Sequence, residues 1–66
     1  MLPVNQVFRM GELRKRLLWS GTEQAIWIDI DSDTALPEPI SVVELERLIM
    51  ERELESIADP FEDKVL

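Results

Sequence analysis

The chain has 66 residues, no cysteine, no histidine, and 14 acidic against 7 basic side chains, for a net charge of −7. That length allows one small domain, of a size that buries only about 60% of its unfolded surface. The missing residue types exclude disulfides, imidazole-dependent triads and zinc sites built on nitrogen or sulfur, so a metal would need oxygen ligands alone. The acidic excess is opposite in sign to that of most nucleic-acid binders.

The N-terminus "MLPVNQVFRM" lacks the charged, apolar, small-residue order of a secretion signal. No apolar run is long enough to span a bilayer, so a cytoplasmic chain is expected. Within it, residues 4–10 read as a first strand with Val4, Gln6, Phe8 and Met10 on one face. Gly11 and Glu12 mark a tight turn. "LRKRLLWS" (13–20) reads as a second strand, with Leu13, Lys15, Leu17 and Trp19 opposite Arg14, Arg16 and Leu18; helix is its competitor. After a turn at Gly21, "EQAIWIDID" (23–31) gives the clearest strand. Ile26, Ile28 and Ile30 form one face, read as inward, against Ala25, Trp27, Asp29 and Asp31.

Residues 31–40 read as a loop, because Pro37 and Pro39 exclude a helix. Residues 41–52 predict a helix. Ser41 and Glu44 have capping-box spacing, and Val42, Leu45, Leu48 and Ile49 form its apolar stripe. Residues 53–59 either extend this helix or make a short turn and a final strand. Pro60 ends that segment, and residues 61–66 read as a tail or linker. The whole predicts an α+β domain over residues 1–60: a small antiparallel meander, or when curled an SH3-like partial β-barrel, with one capped helix.

Asp29, Asp31 and Asp33 match the first three acidic positions of a calcium loop. The loop's glycine is replaced by Thr34 and its closing glutamate by Ile40. A solvated strand face running into a turn, with Asp33 as turn former, accounts for them without a metal. A catalytic aspartate on a strand, as in two-metal nucleases, needs further acids from a larger sheet. No catalytic, metal or cofactor site is therefore assigned. Arg9, Arg14, Lys15 and Arg16 are the candidate contacts to a DNA backbone; the plain alternative is that they keep an edge strand soluble. Trp27 is a candidate partner contact, with core or helix packing as its alternative. The three methionines are read as core.

The order of these features resembles the N-terminal segment of TnsB-type transposases, the large DDE subunit of heteromeric transposons. The matching residues are Asn5, Val7, Leu13, Arg14, Gly21, Ile26, Trp27, Ile30, Pro37, Glu44, Leu45, Leu48, Asp59, Pro60 and Phe61. Lys15 and Arg16 depart from the family's apolar strand, which leaves the register of the second strand open. The resemblance covers nearly the whole chain and rests on order and spacing. It implies a non-catalytic N-terminal accessory domain of a DNA transposase, with DNA-binding and catalytic domains downstream. It implies as partners the other subunits of a transposition complex, and transposon-end DNA through the full-length protein, with no small-molecule substrate or cofactor for this segment. An unrelated acidic interaction module and a metal-dependent nuclease fragment are the alternatives.

Overall fold

The computed structural model describes residues 2–60. The elements run β1 (Val7–Met10), β2 (Leu13–Ser20), β3 (Gln24–Asp29), β4 (Glu38–Ser41), α1 (Val42–Met50) and β5 (Glu55–Ile57). The strands form one sheet in the order β4-β3-β2-β1-β5, with antiparallel neighbours throughout. β1 thus pairs with both its successor and the last strand, which brings the two ends of the described chain together. The linker expected over residues 61–66 lies outside the described residues, as does Phe61. Among the described residues no helix is long and apolar enough to cross a membrane.

β1 and β2 are joined by Gly11 and Glu12, and Gly11 adopts φ +63°. A two-residue hairpin with a positive φ at its first central position favours glycine there. The first strand is shorter than expected: Val4 precedes it and is half exposed. β2 runs through all of "LRKRLLWS" as a strand. Its pairing with β3 is interrupted by a bulge: Leu17 faces Trp27, Trp19 faces Ile26, and Leu18 is the extra residue between them. A bulge shifts the residues beyond it to the opposite face. Trp19 is therefore turned away from the Leu17 face it was expected to share, and is 53% exposed.

The core lies on one face of the sheet. Phe8, Leu17, Ala25 and Trp27 pack there with Leu45 and Leu48 of α1 and with Leu54, and Met10, Ile40, Val42 and Ile49 flank them. This corrects the expected polarity of β3. Ala25 and Trp27 point into the core, whereas Ile26 and Ile28 are half-buried on the other face. Strict alternation defines two faces, but which one the helix covers depends on the partner elements. Val7 is also fully buried, on the face opposite the helix, where its cross-strand neighbours are Arg16 and Ile57.

β4 lies where a loop was expected. Its Pro39 sits opposite Ile26 at the outer edge of the sheet, where a missing N–H breaks no ladder bond. The chain then turns directly into α1. Ser41 Oγ accepts the Glu44 N–H at 3.5 Å, and the Val42 N–H donates to the Glu23 carbonyl at 2.9 Å. The return half of the expected capping box is replaced: the Glu44 carboxylate engages Arg47 instead. α1 is two residues shorter than expected at its C-terminal end, and its exit explains the strand that follows. Glu53 N–H bonds to the Leu48 carbonyl and Arg52 N–H to that of Ile49, which is the Schellman pattern. Arg52 takes the left-handed position at φ +63°. The turn returns Leu54 to the core and leads into β5, so of the two readings of residues 53–59 the strand is observed.

A non-glycine residue in the left-handed region costs about 1–2 kcal/mol, partly offset by the extra chain entropy of glycine. Arg52→Gly is expected to raise stability by about 0.5–1 kcal/mol, measured as a higher urea midpoint with an unchanged slope.

Candidate functional site

The sequence offers two polar features, the aspartate series and the basic run, and the fold joins them. Arg9 lies opposite Arg14 and Val7 opposite Arg16 across β1 and β2, so Arg9, Arg14 and Arg16 share one sheet face. That is the face away from α1. Lys15 points to the core side, where its Nζ stands 4.9 Å from the Trp27 ring centroid and 2.6 Å from Glu38 Oε1. The four candidate cations therefore do not form one patch.

Each cation is held by an acid distant in sequence. Arg9 Nη2 donates to Glu55 Oε1 at 2.6 Å, linking β1 to β5. Arg14 donates through Nε at 3.0 Å and Nη2 at 2.5 Å to the two carboxylate oxygens of Asp31. Arg16 makes a second two-pronged pair, to Asp59, at 2.7 and 2.9 Å, and also donates to the Asn5 carbonyl at 3.2 Å. Two-pronged pairs match the planar fork of guanidinium to the carboxylate. Asn5 is itself in the left-handed region at φ 73°. The Arg16 contacts tie the turn before β1 to the chain after β5. Lys15 and Arg16, which break the expected apolar pattern of β2, are thus accounted for by Glu38 and Asp59.

The three aspartates are separated by their roles. Asp29 ends β3, and its Oδ1 accepts the Asp31 N–H at 2.8 Å, closing an Asx-type turn. Asp31 lies just beyond the strand rather than in it, and engages Arg14. Asp33 lies in the exposed turn, where the Ala35 N–H bonds to the Ser32 carbonyl at 3.5 Å. Among the described residues no group of three or more acidic, histidine or cysteine side chains is placed to hold a metal ion. Hydrogen bonding to Arg14 lowers the Asp31 pKa from its ordinary 3.8, against a smaller opposing effect of desolvation. The same bonds raise the pKa of Arg14, and Asp59 does likewise for Arg16.

Of the two outcomes weighed for Trp27, core packing is the one observed: it is 6% exposed. The exposed tryptophan is Trp19, which regular alternation would put on the same face as Leu17. A Cβ at Gly21 would come within 2.5 Å of the Trp19 ring, so the indole lies over that glycine. Trp19, Ile26 and Pro39 form one row across β2, β3 and β4 on the face that carries the arginines. The signal for Trp19 was the adjacent pair Leu17 and Leu18, which breaks period-two alternation and hints at a bulge. Met50, read as core, is 82% exposed, while Met10 does pack on the core.

A five-stranded antiparallel sheet with one helix on one face is consistent with a small SH3-like domain. Residues 1–60 match the family described as the TnsB N-terminal SH3-like domain, and the chain belongs to that family. No curated protein matches the chain.

The Asp31 carboxyl is expected to titrate below 3.8, and in Arg14→Gln to move back up towards that value, followed by carboxyl-carbon NMR shifts. A folded pKa below the unfolded one means that the pair stabilises the fold above the unfolded value. That contribution is lost as pH falls through the folded one. For Arg16 and Asp59, a double-mutant cycle with Arg16→Gln and Asp59→Asn is expected to give a coupling of about 1–2 kcal/mol in urea unfolding.

Proposed function

We propose that this chain is the non-catalytic N-terminal accessory domain of a DDE transposase, and that it acts by contacting another protein of the transposition complex rather than transposon-end DNA. In this reading residues 1–60 are the accessory unit, the sheet curls as a partial barrel closed by α1, and residues 61–66 begin the connection to downstream domains in a cytoplasmic protein. The family match supports the transposase assignment. One observation favours protein over DNA: Arg9, Arg14, Lys15 and Arg16 are each paired with a carboxylate, in a chain of net charge −7. Duplex binding gains affinity by releasing counterions from phosphates, and a cation already neutralised by a carboxylate gains less. The nearest acids on the sheet also repel a phosphate backbone.

A second reading has one observation in its favour. Arg9, Arg14 and Arg16 share a face with the exposed Trp19, and the exposed ion pairs of Arg9 and Arg14 are worth only about 0–1 kcal/mol, so at those two a phosphate has little to displace. Fluorescence anisotropy of a labelled transposon-end duplex at low salt separates the two. The protein-contact reading expects weak binding that Arg14→Gln leaves unchanged. Tight binding, weakened by Arg14→Gln and falling with salt at a log–log slope of about −0.9 per phosphate contact, would establish backbone contact instead. In the intact transposase, deletion of residues 1–60 is expected to weaken assembly with partner subunits while leaving end binding in place.

A further inference from the structure

We infer that the outward face of α1 is the docking surface for a basic, amphipathic segment of another protein, with Val43 and Met50 as its two apolar contacts. The inference rests on the accessory-domain reading for its context, but its argument is the surface itself. Leu45 and Leu48 turn one side of α1 into the core. Val43 and Met50 project from the other side and are 73% and 82% exposed. They are seven residues apart, or two turns and about 10.5 Å along the axis. That spacing matches the anchor repeat of an amphipathic partner helix. Methionine suits such a surface because its flexible thioether adapts to the shape it meets.

Between the two lies Arg47. Its guanidinium is engaged by Glu44 on one side and by Glu51, at 2.9 Å, on the other. The cation is thereby drawn along the helix, and its hydrogen bonds to both glutamates raise its pKa. Val43, Glu46, Arg47, Met50 and Glu51 together line a shallow open groove. Three glutamates against one arginine leave this helix surface acidic, and Glu46 has no ion-pair partner among the described residues.

Charge decides the occupant. A second copy of the chain carries the same net charge of −7 and the same acidic helix, so self-association through this face brings like charges together. A phosphate backbone is repelled for the same reason. The described lysine and arginine side chains apart from Arg52 are already engaged in ion pairs within the chain. The paired cations of the described residues are thus not available to neutralise Glu46 or share Glu51, and a partner that does so must also place apolar side chains against Val43 and Met50. A segment with Lys or Arg on one stripe and Leu or Ile on the next meets both demands. The paired arginines on the opposite sheet face present no such excess of one sign.

The test uses the 66-residue chain, isotope-labelled, and a short Leu–Lys peptide with amphipathic spacing as the probe. A peptide of the same composition with scrambled spacing is the comparison. Saturable amide shifts are expected at Val43, Arg47 and Met50, with affinity lowered about tenfold or more by Met50→Glu or by Glu46→Lys. Both substitutions are at exposed positions, and an unchanged urea midpoint would show that each variant is folded. Trp19→Ser, on the far face, is expected to leave the affinity unchanged. Equal binding of the scrambled peptide, shifts centred on Trp19 and Ile26, or indifference to Met50→Glu would overturn the inference. In the intact transposase, normal assembly of Met50→Glu alongside failed assembly on deletion of residues 1–60 would overturn this surface and leave the accessory role standing. Normal assembly after the deletion would remove the accessory role, whatever the peptide binds.

Discussion

Leu17, at the middle of the central strand β2, is fully buried and faces Trp27 across β3. Its backbone is shared as well: its N–H donates to the Gln6 carbonyl, and its carbonyl accepts the Asn5 N–H at 2.6 Å. One residue thus joins the apolar core to the segment that leads into β1. A chain of this length has few side chains to bury, so a core built around Leu17, Trp27, Leu45 and Leu48 has no redundancy. Every other feature is arranged around keeping that face of the sheet under α1.

The bulge after Leu17 follows from the same constraint. With Leu17 committed inward, regular alternation would carry Trp19 inward as well. The inserted Leu18 rotates Trp19 out to the other face, where its ring lies over Gly21. That face is closed by other means. Three arginines on β1 and β2 are held by Glu55, Asp31 and Asp59, which come from β5, the turn after β3 and the chain after β5. The exposed pairs of Arg9 and Arg14 add little stability singly, whereas the Arg16–Asp59 pair is part-buried. Their geometric effect is to pin the ends of the sheet and cover Val7. A functional consequence follows: the basic run of the sequence does not remain a free cationic patch.

Much of this fold was legible in the residues. The Gly11 turn, the strands of residues 4–31 and the helix at Val42 follow from punctuation and periodicity. What failed did so for identifiable reasons. The isoleucine side of β3 was read as inward because β-branched bulk looks like core, whereas Ala25 leaves room for the helix and Trp27 fills the space beneath it. β4 was read as loop because Pro37 and Pro39 exclude a helix, and only the sheet order shows that Pro39 occupies an edge. β5 is three residues long, and its pattern means nothing until β1 is beside it. The candidate cations Arg14, Lys15 and Arg16 are adjacent in sequence, but alternation puts Lys15 and Arg16 on opposite faces, and the acids that hold the arginines are 17 to 46 residues away.

The sequence by itself determined the size of the domain, its strand-rich start, the single helix, the absence of imidazole and thiol chemistry, and the order of residues that marks the TnsB N-terminal family. These are local or compositional properties, carried by turn residues, periodicity and residue type. Only the tertiary structure decided which face of β3 is core, which tryptophan is exposed, and that Val43 and Met50 stand in solvent between glutamates. It also decided that the aspartates of the β3 end serve a turn and an arginine. Those outcomes depend on contacts between segments far apart in the chain and, for Trp19, on a one-residue bulge that turns it to the other face.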